Sequence, residues 1–238
     1  MKERLEVLFE DQDFVVVNKP AGLLSVPIRG GKVPSALSVL KNNMRGDKKG
    51  SPLVVHRIDR YTAGLLVFAK NPRSRHKLIQ QFLRHTPIRR YEAVVHGVVD
   101  PAEGTLRHSL YLVKKGFRQM VVPKGKVVKD SALAVLRFRT KERLKDATLV
   151  EIELETGLKN QIRAQFAAIG HPVVGDIQYG EQSDKRNKIA TIDHQALYAS
   201  YLSFAHPRSG KKVEFQASVP KEIREVISKL RWQEKKTK

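Results

Sequence analysis

The feature that most constrains the fold is a long succession of short strand-like runs with few helical patterns between them. The runs are rich in aliphatic and aromatic residues, and turn-forming residues separate them. They read "FVVVNK", "LLVFAK", "RRYEAVVHG", "GTLRHSLYLV", "SALAVLRFRT", "ATLVEIELET", "ALYASYLSFAHP" and "KVEFQASVP". Because the helical patterns do not alternate strictly with the strands, we predict an α+β fold with a mixed, mostly antiparallel β-sheet and flanking helices.

Four segments have helical patterns, within 35–43, 71–85, 160–170 and 220–232. In the second, Asn71 fits the N-cap and Pro72 the first helical position. No Gly/Ser-rich linker, composition break or internal repeat is visible in the sequence. We therefore predict a single domain over 1–238, with 233–238 as a frayed basic tail.

The charge of the chain indicates its partner. Lys and Arg number 45 against 24 acidic residues, a formal net charge of +21. Such an excess repels itself unless a polyanion is present, and nucleic acid is the usual one. The helix after Asn71 has a basic face without acidic partners, so we expect RNA contacts there: Arg73, Arg75, Lys77 and Arg84. A merely solvated basic face is the alternative.

Composition also excludes several kinds of chemistry. The chain has no Cys, which removes disulfides and thiol catalysis and fits a reducing compartment such as the cytoplasm. The eight His residues show no metal-ligand spacing, so we predict no metal site. We find no phosphate-binding Gly-rich loop, nucleophilic Ser elbow, membrane-length apolar run or cleavable signal. Chemistry based on carboxylate, Tyr and Arg side chains remains.

The segment "HRIDR", residues 56–60, lies between two apolar runs. Small turn residues usually join strands, but here Asp59 lies between Arg57 and Arg60. Neighbouring guanidinium groups keep a carboxylate charged. An anionic carboxylate can act as a nucleophile or base, or it can anchor a loop through ion pairs. The residues alone leave both interpretations open.

Several blocks together resemble the RluA-type pseudouridine synthases. "HRIDRYTAGLLVFAKN" is similar to the family's HRLDxxTSGLLLxAK motif, and "IRRYEAVVHG" to its KxYxAxVxG strand. "LETGLKNQIRAQFAAIGHPVVGDIQYG" resembles the TGRxHQIRxHxxxxGHPIxGDxxYG block. "FVVVNKPAGLLSVP" and "ALYASYLSFAHPRSGKKVEFQASVP" resemble the family's opening and ending. The resemblance spans nearly the whole chain and implies a catalytic domain without the RNA-binding extra domain that usually precedes it.

The resemblance implies isomerisation of uridine to pseudouridine in structured ribosomal or transfer RNA, by a cytoplasmic monomer without metal or organic cofactor. Asp59 matches the nucleophilic aspartate, Tyr91 the active-site tyrosine and Arg163 the arginine that pairs with the aspartate. Arg57 matches a residue that helps to displace the target base. The expected RNA-binding residues are Arg57, Arg60, Arg73, Arg75, Lys77, Arg84, Arg89 and Arg90.

The chain departs from the family pattern at a few positions. Leu158-Lys159-Asn160-Gln161 stands where Arg-Thr-His-Gln is common, so Asn160 can donate a hydrogen bond but cannot titrate. Arg89 replaces a Lys, and Tyr61 and Ala63 replace acidic and hydroxyl residues. Two alternatives stay open. One is a non-catalytic RNA-binding protein, and the other is a carboxylate hydrolase, which would need a second catalytic carboxylate near Asp59.

Overall fold

The computed structural model describes residues 5–28, 30–31, 33–44, 51–113, 118–180 and 192–235, with side chains up to residue 231. In chain order the elements are β1 (Glu6–Glu10), β2 (Phe14–Lys19), α1 (Ala36–Asn43), β3 (Leu53–Val54), β4 (Ala63–Ala69), α2 (Pro72–Leu83), β5 (Ile88–His96), β6 (Glu103–Val113), β7 (Arg118–Val121), β8 (Ala132–Leu144), β9 (Ala147–Leu154), α3 (Gln161–Ala168), β10 (Leu197–Ala205), β11 (Lys212–Gln216) and α4 (Lys221–Lys235). This content confirms the predicted α+β class.

The chain divides into two compact units, each assembled from two separate segments. The first unit comprises Met1–Arg89 and Tyr198–Ser218, and the second comprises Arg90–Leu197 and Val219–Lys238. The division falls inside β5 and at the first residue of β10. The sequence predicts one domain because it contains no visible linker. The boundary between the two units lies within strands, where no linker sequence marks it.

In the first unit, β2 pairs antiparallel with β1 and with β4, while β10 pairs parallel with β4 and antiparallel with β11. The sheet is therefore mixed, as predicted. One face of β2 and β4 carries alternating apolar residues that pack against α1, as the side-chain period of two requires. This core cluster contains Leu5, Val15, Val17, Leu23, Ala36, Leu37, Leu40, Leu66 and Phe68.

The parallel contact between β4 and β10 depends on Gly64, which pairs in register with Ala199. Gly64 has φ +100°, and a Cβ at this position would lie 2.3 Å from the Ala199 carbonyl oxygen. Only glycine permits such a close approach and this backbone conformation. The glycine of the "TAGLL" segment therefore sets how closely β4, which follows the Asp59 loop, approaches its neighbour.

The second unit contains an antiparallel sheet in the order β5-β9-β8-β6-β7. Phe138 of β8 packs edge-to-face on Phe166 of α3, with ring centroids 5.6 Å apart. The basic residues along β8 form ion pairs with acidic residues on β9, just after β9 and on β5, including Arg139–Glu151, Arg137–Glu155 and Lys141–Glu92. This face is therefore charged but locally neutralised.

Helix α4 buries Ile223, Val226, Ile227 and Leu230 along one face. It continues through Lys235, three residues into the segment predicted to be frayed, and 236–238 lie outside the described residues. Among the helices that the structure describes, none is long and apolar enough to cross a membrane.

Candidate active site

The Asp59 loop connects β3 to β4 in the first unit. The Thr62 N–H donates to the Asp59 carbonyl at 3.1 Å, closing a turn before β4. Arg60, beyond the aspartate, is tied to a second segment: its carbonyl accepts the Gly22 N–H at 3.0 Å, and its Nε donates to the Gly22 carbonyl at 2.9 Å. Its guanidinium carbon also lies 5.2 Å from the Tyr61 ring centroid. The backbone beside Asp59 is thus fixed by contacts distant in sequence.

Lys19, the last residue of β2, is a buried lysine that contacts this loop. Its side chain is fully buried, and its Nζ donates to the carbonyls of Pro20, Leu23 and Arg60 at 2.8–2.9 Å. Burial lowers the pKa of the Lys19 ammonium to about 7, while the negative charge of Asp59 raises it. Asp59 therefore interacts electrostatically with the Lys19 ammonium group, and it also lies between two arginines in sequence. The sequence placed Lys19 in a family-like block but did not suggest this role.

His56 of the "HRID" segment is a structural residue. Its Nε2 accepts the Val67 N–H at 3.3 Å, and its ring stacks on Phe82 with a centroid distance of 4.3 Å. Burial, together with the positive charge of Arg89, lowers the pKa of His56 to about 3. The imidazole is therefore neutral near pH 7 and does not serve as a proton donor through a charged form.

Arg163 lies on α3 in the second unit, where its guanidinium is held from several sides. Nε and Nη2 donate to the two oxygens of Asp176 at 2.6 and 2.8 Å. Nη1 donates to the Asn160 side chain and Nη2 to the Gln178 side chain, both at 3.2 Å. The Tyr179 ring centroid lies 4.9 Å from the guanidinium carbon. The bidentate pair and this stacking fix the plane of the guanidinium.

Asn160 is one of the positions at which the chain departs from the family pattern, and its side chain contacts Arg163. It precedes α3 with φ 53°, a left-handed conformation that asparagine tolerates better than most residues. Its Oδ1 accepts from Arg163, and its Nδ2 donates to the Tyr179 hydroxyl at 3.3 Å. Burial raises the pKa of Tyr179. Asn160 therefore donates a hydrogen bond, as the sequence predicts, and links Arg163 to Tyr179.

Tyr91 lies on β5 of the second unit, opposite Ile152 of β9. Its side chain is 9% exposed, so it is almost wholly enclosed by protein. Asp59 belongs to the first unit, and Tyr91 and Arg163 belong to the second. Their joint role in catalysis stays a prediction.

The predicted RNA-binding residues differ in exposure. Six are exposed in the first unit: Arg57, Arg60, Arg73, Arg75, Lys77 and Arg84. Arg89, in contrast, is 8% exposed, and Arg90 forms an ion pair with Glu153 at 2.9 Å. Burial of Arg89 and the ion pair of Arg90 favour structural roles for these two residues. The side chains of the other six are exposed and can contact the phosphates of a bound RNA.

One group of described residues has the composition of a metal site: Asp11, Asp13 and His206, whose ligand atoms lie within 4.8 Å of one another. The Arg208 guanidinium donates to both Asp13 oxygens, and His206 Nδ1 accepts backbone N–H groups. Burial alone would raise the pKa of the Asp13 carboxyl, but hydrogen bonds from Ser74, Arg208 and Asn71 lower it to about 2. These donors fit a hydrogen-bonded ion-pair network that joins turns of the first unit.

Comparisons with known proteins agree with the residue-level resemblance. A family model described as RNA pseudouridylate synthase matches residues 13–168. The chain is 39% identical to the uncharacterized RNA pseudouridine synthase YlyB of Bacillus subtilis, over 95% of this chain and 73% of that protein. It is 35% identical to a ribosomal large subunit pseudouridine synthase D of Zymomonas mobilis, with the same coverage of each chain.

The fold also has a counterpart among solved structures. The human RNA pseudouridylate synthase domain containing 4 aligns with a TM-score of 0.77 and 21% identity, covering 95% of this chain and 93% of the human one. This likeness concerns the fold alone, while the family model and the bacterial relatives concern the sequence itself. The protein therefore belongs to the RNA pseudouridylate synthase family and is an RNA pseudouridine synthase.

Proposed function

We propose that this synthase converts specific uridines of ribosomal RNA to pseudouridine, with Asp59 as the catalytic carboxylate. The observation that carries the proposal is the loop around Asp59. The next residue, Arg60, is held there by hydrogen bonds from Lys19 and Gly22 to its carbonyl oxygen. The names of relatives such as the Zymomonas mobilis protein, which refer to the large ribosomal subunit, support ribosomal RNA as the substrate class.

The reaction breaks the bond between uracil N1 and ribose C1′, turns the base, and joins C5 to C1′. The C5 proton is lost and N1 gains a proton, so the atoms balance without a co-reactant. An anionic Asp59 oxygen can attack the ribose or assist elimination of the base. The oxygen must be held in place, because misplacement by about 1 Å can cost about 100-fold in rate. The hydrogen bonds around Arg60 provide such restraint.

Arg163 and Tyr91 have separate proposed roles. A guanidinium with a fixed plane stabilises charge that develops on the reacting groups without reorganising during the reaction. A tyrosine ring can stack on a flipped uracil, and its hydroxyl can move a proton. The bidentate bond to Asp176 supports the first role, and the enclosed position of Tyr91 supports the second.

The exposed basic residues of α2 are the proposed site of phosphate contact. The helix contains Arg73, Arg75 and Lys77 but no acidic residue, and Arg84 follows its last turn. Base displacement is assigned to Arg57, which is exposed in the Asp59 loop.

We further propose that the protein acts as a monomer in the cytoplasm. The lack of cysteines fits this compartment. Sedimentation would test the monomer, and cell fractionation would test the location.

The decisive test of the substrate is pseudouridine mapping in ribosomal and transfer RNA from cells with and without the gene. We expect specific ribosomal sites to lose the modification and the purified protein to restore it on unmodified transcripts. If the affected sites lie in transfer RNA, the substrate class is wrong but the reaction stands. If no site changes and the protein modifies no transcript, the protein acts by binding alone.

RNA binding should weaken steeply with salt, because each neutralised phosphate releases counterions. Log affinity should fall with log potassium chloride by about 0.7 to 0.9 per contact. The double variant Arg73→Gln/Lys77→Gln should reduce this slope by about 1.5. The matched control Arg137→Gln/Arg139→Gln removes the same charge from residues that already pair with acids, and should leave the slope nearly unchanged. A flat salt response, or equal changes in both variants, would contradict the assigned surface.

Tyr91→Phe should keep the aromatic ring and lose the hydroxyl. If the hydroxyl moves a proton, turnover should fall by about 100-fold or more, the usual scale for acid–base groups. RNA affinity should change little, since the ring remains. Tyr111→Phe, a half-buried tyrosine on β6 of the same unit, is the control. Parental turnover of Tyr91→Phe would leave Tyr91 as a stacking surface only.

A further inference from the structure

The hydroxyl of Ser25 holds the residue that directly precedes Asp59. Ser25 Oγ donates to the Ile58 carbonyl at 2.7 Å and accepts the Ile58 N–H at 3.1 Å. Ser25 and Ile58 are 4% and 7% exposed, so water competes poorly for these bonds. One buried side chain thus satisfies both backbone groups of a loop residue that belongs to no strand or helix.

Ser25 is itself firmly anchored, so it can act as a fixed reference for the loop. The Ser25 carbonyl accepts the Leu37 N–H at 3.3 Å, and the Leu24 carbonyl accepts the Ala36 N–H at 2.7 Å. Both donors belong to the first turn of α1, which packs into the core of the first unit. The loop is therefore connected through Ser25 to a helix that packs into the core of the first unit.

The same short segment, 19–25, fixes the residue on the other side of Asp59. Lys19 Nζ and the Gly22 N–H both donate to the Arg60 carbonyl, at 2.9 and 3.0 Å. The backbone of Asp59 therefore lies between two restrained neighbours. The direction of its carboxylate depends on the peptide that joins it to Ile58, and Ser25 binds that peptide's carbonyl oxygen.

We propose that Ser25 is a positioning residue for the pseudouridine synthase reaction, acting through the Ile58–Asp59 peptide. The inference rests on the proposed role of Asp59. Loss of the hydroxyl would leave two backbone groups without their buried partner and let the peptide rotate. Since Ser25 is buried, its loss should affect the reaction step and not RNA binding.

A merely structural serine would lower stability without changing the rate of the folded protein, so the test compares three variants. Ser25→Ala removes both hydrogen bonds, and Ser25→Thr keeps the hydroxyl. Ser74→Ala is the matched control, because Ser74 is a buried serine of the same unit that donates to Asp13 at 2.7 Å, outside the Asp59 loop. All rates are measured in single turnover with saturating enzyme, well below each melting temperature.

We expect Ser25→Ala to react about 10- to 100-fold more slowly, the range for small misplacement of a reacting group. Its RNA dissociation constant should stay within about twofold of the parent, since no RNA contact is removed. Ser25→Thr should recover most of the rate, and Ser74→Ala should react like the parent. Parental turnover of Ser25→Ala, or a threonine variant as slow as the alanine variant, would overturn the inference. Should Ser25→Ala fail to fold, Ser25→Cys, which keeps a weak donor of similar size, replaces it.

A second measurement does not depend on activity. In protein labelled with ¹³C at the Asp side-chain carboxyls, the Asp59 signal is identified by its absence from Asp59→Asn. It should shift in Ser25→Ala, return in Ser25→Thr, and stay in place in Ser74→Ala. An unmoved signal would refute the positioning role even if the protein formed no pseudouridine. If the Asp59 signal shifts in Ser25→Ala but the parent protein forms no pseudouridine, the positioning role stands and the proposed function is wrong.

Discussion

Arg163→Lys should lose at least about 100-fold in pseudouridine formation, the scale seen when a preorganised charge-stabilising donor is removed. The guanidinium binds both oxygens of Asp176 and reaches Asn160 and Gln178 at the same time. A lysine keeps the positive charge but has no planar fork, so it cannot reproduce these bonds together. The fold should survive, because the buried Asp176 carboxylate still has a cation beside it.

The control for this variant is Arg139→Lys. In the parent, Arg139 of the second unit forms an ion pair with Glu151 at the protein surface. Such surface pairs contribute about 0 to 1 kcal/mol, so its melting temperature and turnover should match the parent. Arg163→Ala should be the less stable variant, since it leaves a buried carboxylate without its partner. Parental turnover of Arg163→Lys or Arg163→Ala would mean that Arg163 only neutralises Asp176.

The secondary structure was largely predictable because its signals are local. Asn71 caps α2 as predicted, with its side chain accepting the Ser74 N–H at 2.8 Å. The four predicted helices are all present as α1 to α4, and the strand-like run "FVVVNK" forms β2. Strand β7 was not predicted, since its residues, Arg118–Val121, lack an apolar alternation and are each half-buried.

The support of the site was not predictable, because it depends on residues far apart in sequence. Ser25 binds Ile58 and Lys19 binds Arg60, across separations of 33 and 41 residues. A lysine next to Pro20 resembles a surface residue in a turn, and nothing local indicates that it is fully buried. Of its three carbonyl acceptors Pro20 and Leu23 are local, but Arg60 reaches the ammonium group only when the fold brings the two segments together.

The partner of Arg163 shows the same limit. Asp176 and Tyr179 lie in the "GDIQYG" block that carries the family resemblance, but the pattern does not reveal that Asp176 binds the arginine. The sequence also did not reveal which basic residues on strands form ion pairs within the protein. Arg90 was predicted to bind RNA, and the structure shows that it pairs across the ladder with Glu153, as opposite charges on adjacent strands do.

Asp59→Asn should abolish pseudouridine formation under conditions in which the parent converts its target fully. The substitution is nearly isosteric, so the Thr62 turn and the Arg60 contacts should persist. It removes the negative charge and the nucleophilic oxygen together. RNA affinity should survive and could increase slightly, because one anion is removed from a surface that binds phosphates.

A structural role for Asp59 would produce the opposite pattern. The loop would lose an ionic partner, since Asp59 interacts electrostatically with Lys19, and the melting temperature would fall. Activity measured well below that temperature would remain. Asp130→Asn, at an exposed aspartate of the second unit, is the matched control for the loss of one negative charge.

The most direct measurement is the pseudouridine yield of the Asp59→Asn protein on a ribosomal transcript that the parent modifies completely. Melting temperature and RNA affinity are determined on the same preparation, together with the Asp130→Asn control. If Asp59 is the catalytic carboxylate, the folded variant binds the transcript and forms no pseudouridine, while the control forms as much as the parent. A folded Asp59→Asn variant that forms pseudouridine at the parental rate would contradict the mechanism and the assignment of the "HRID" segment.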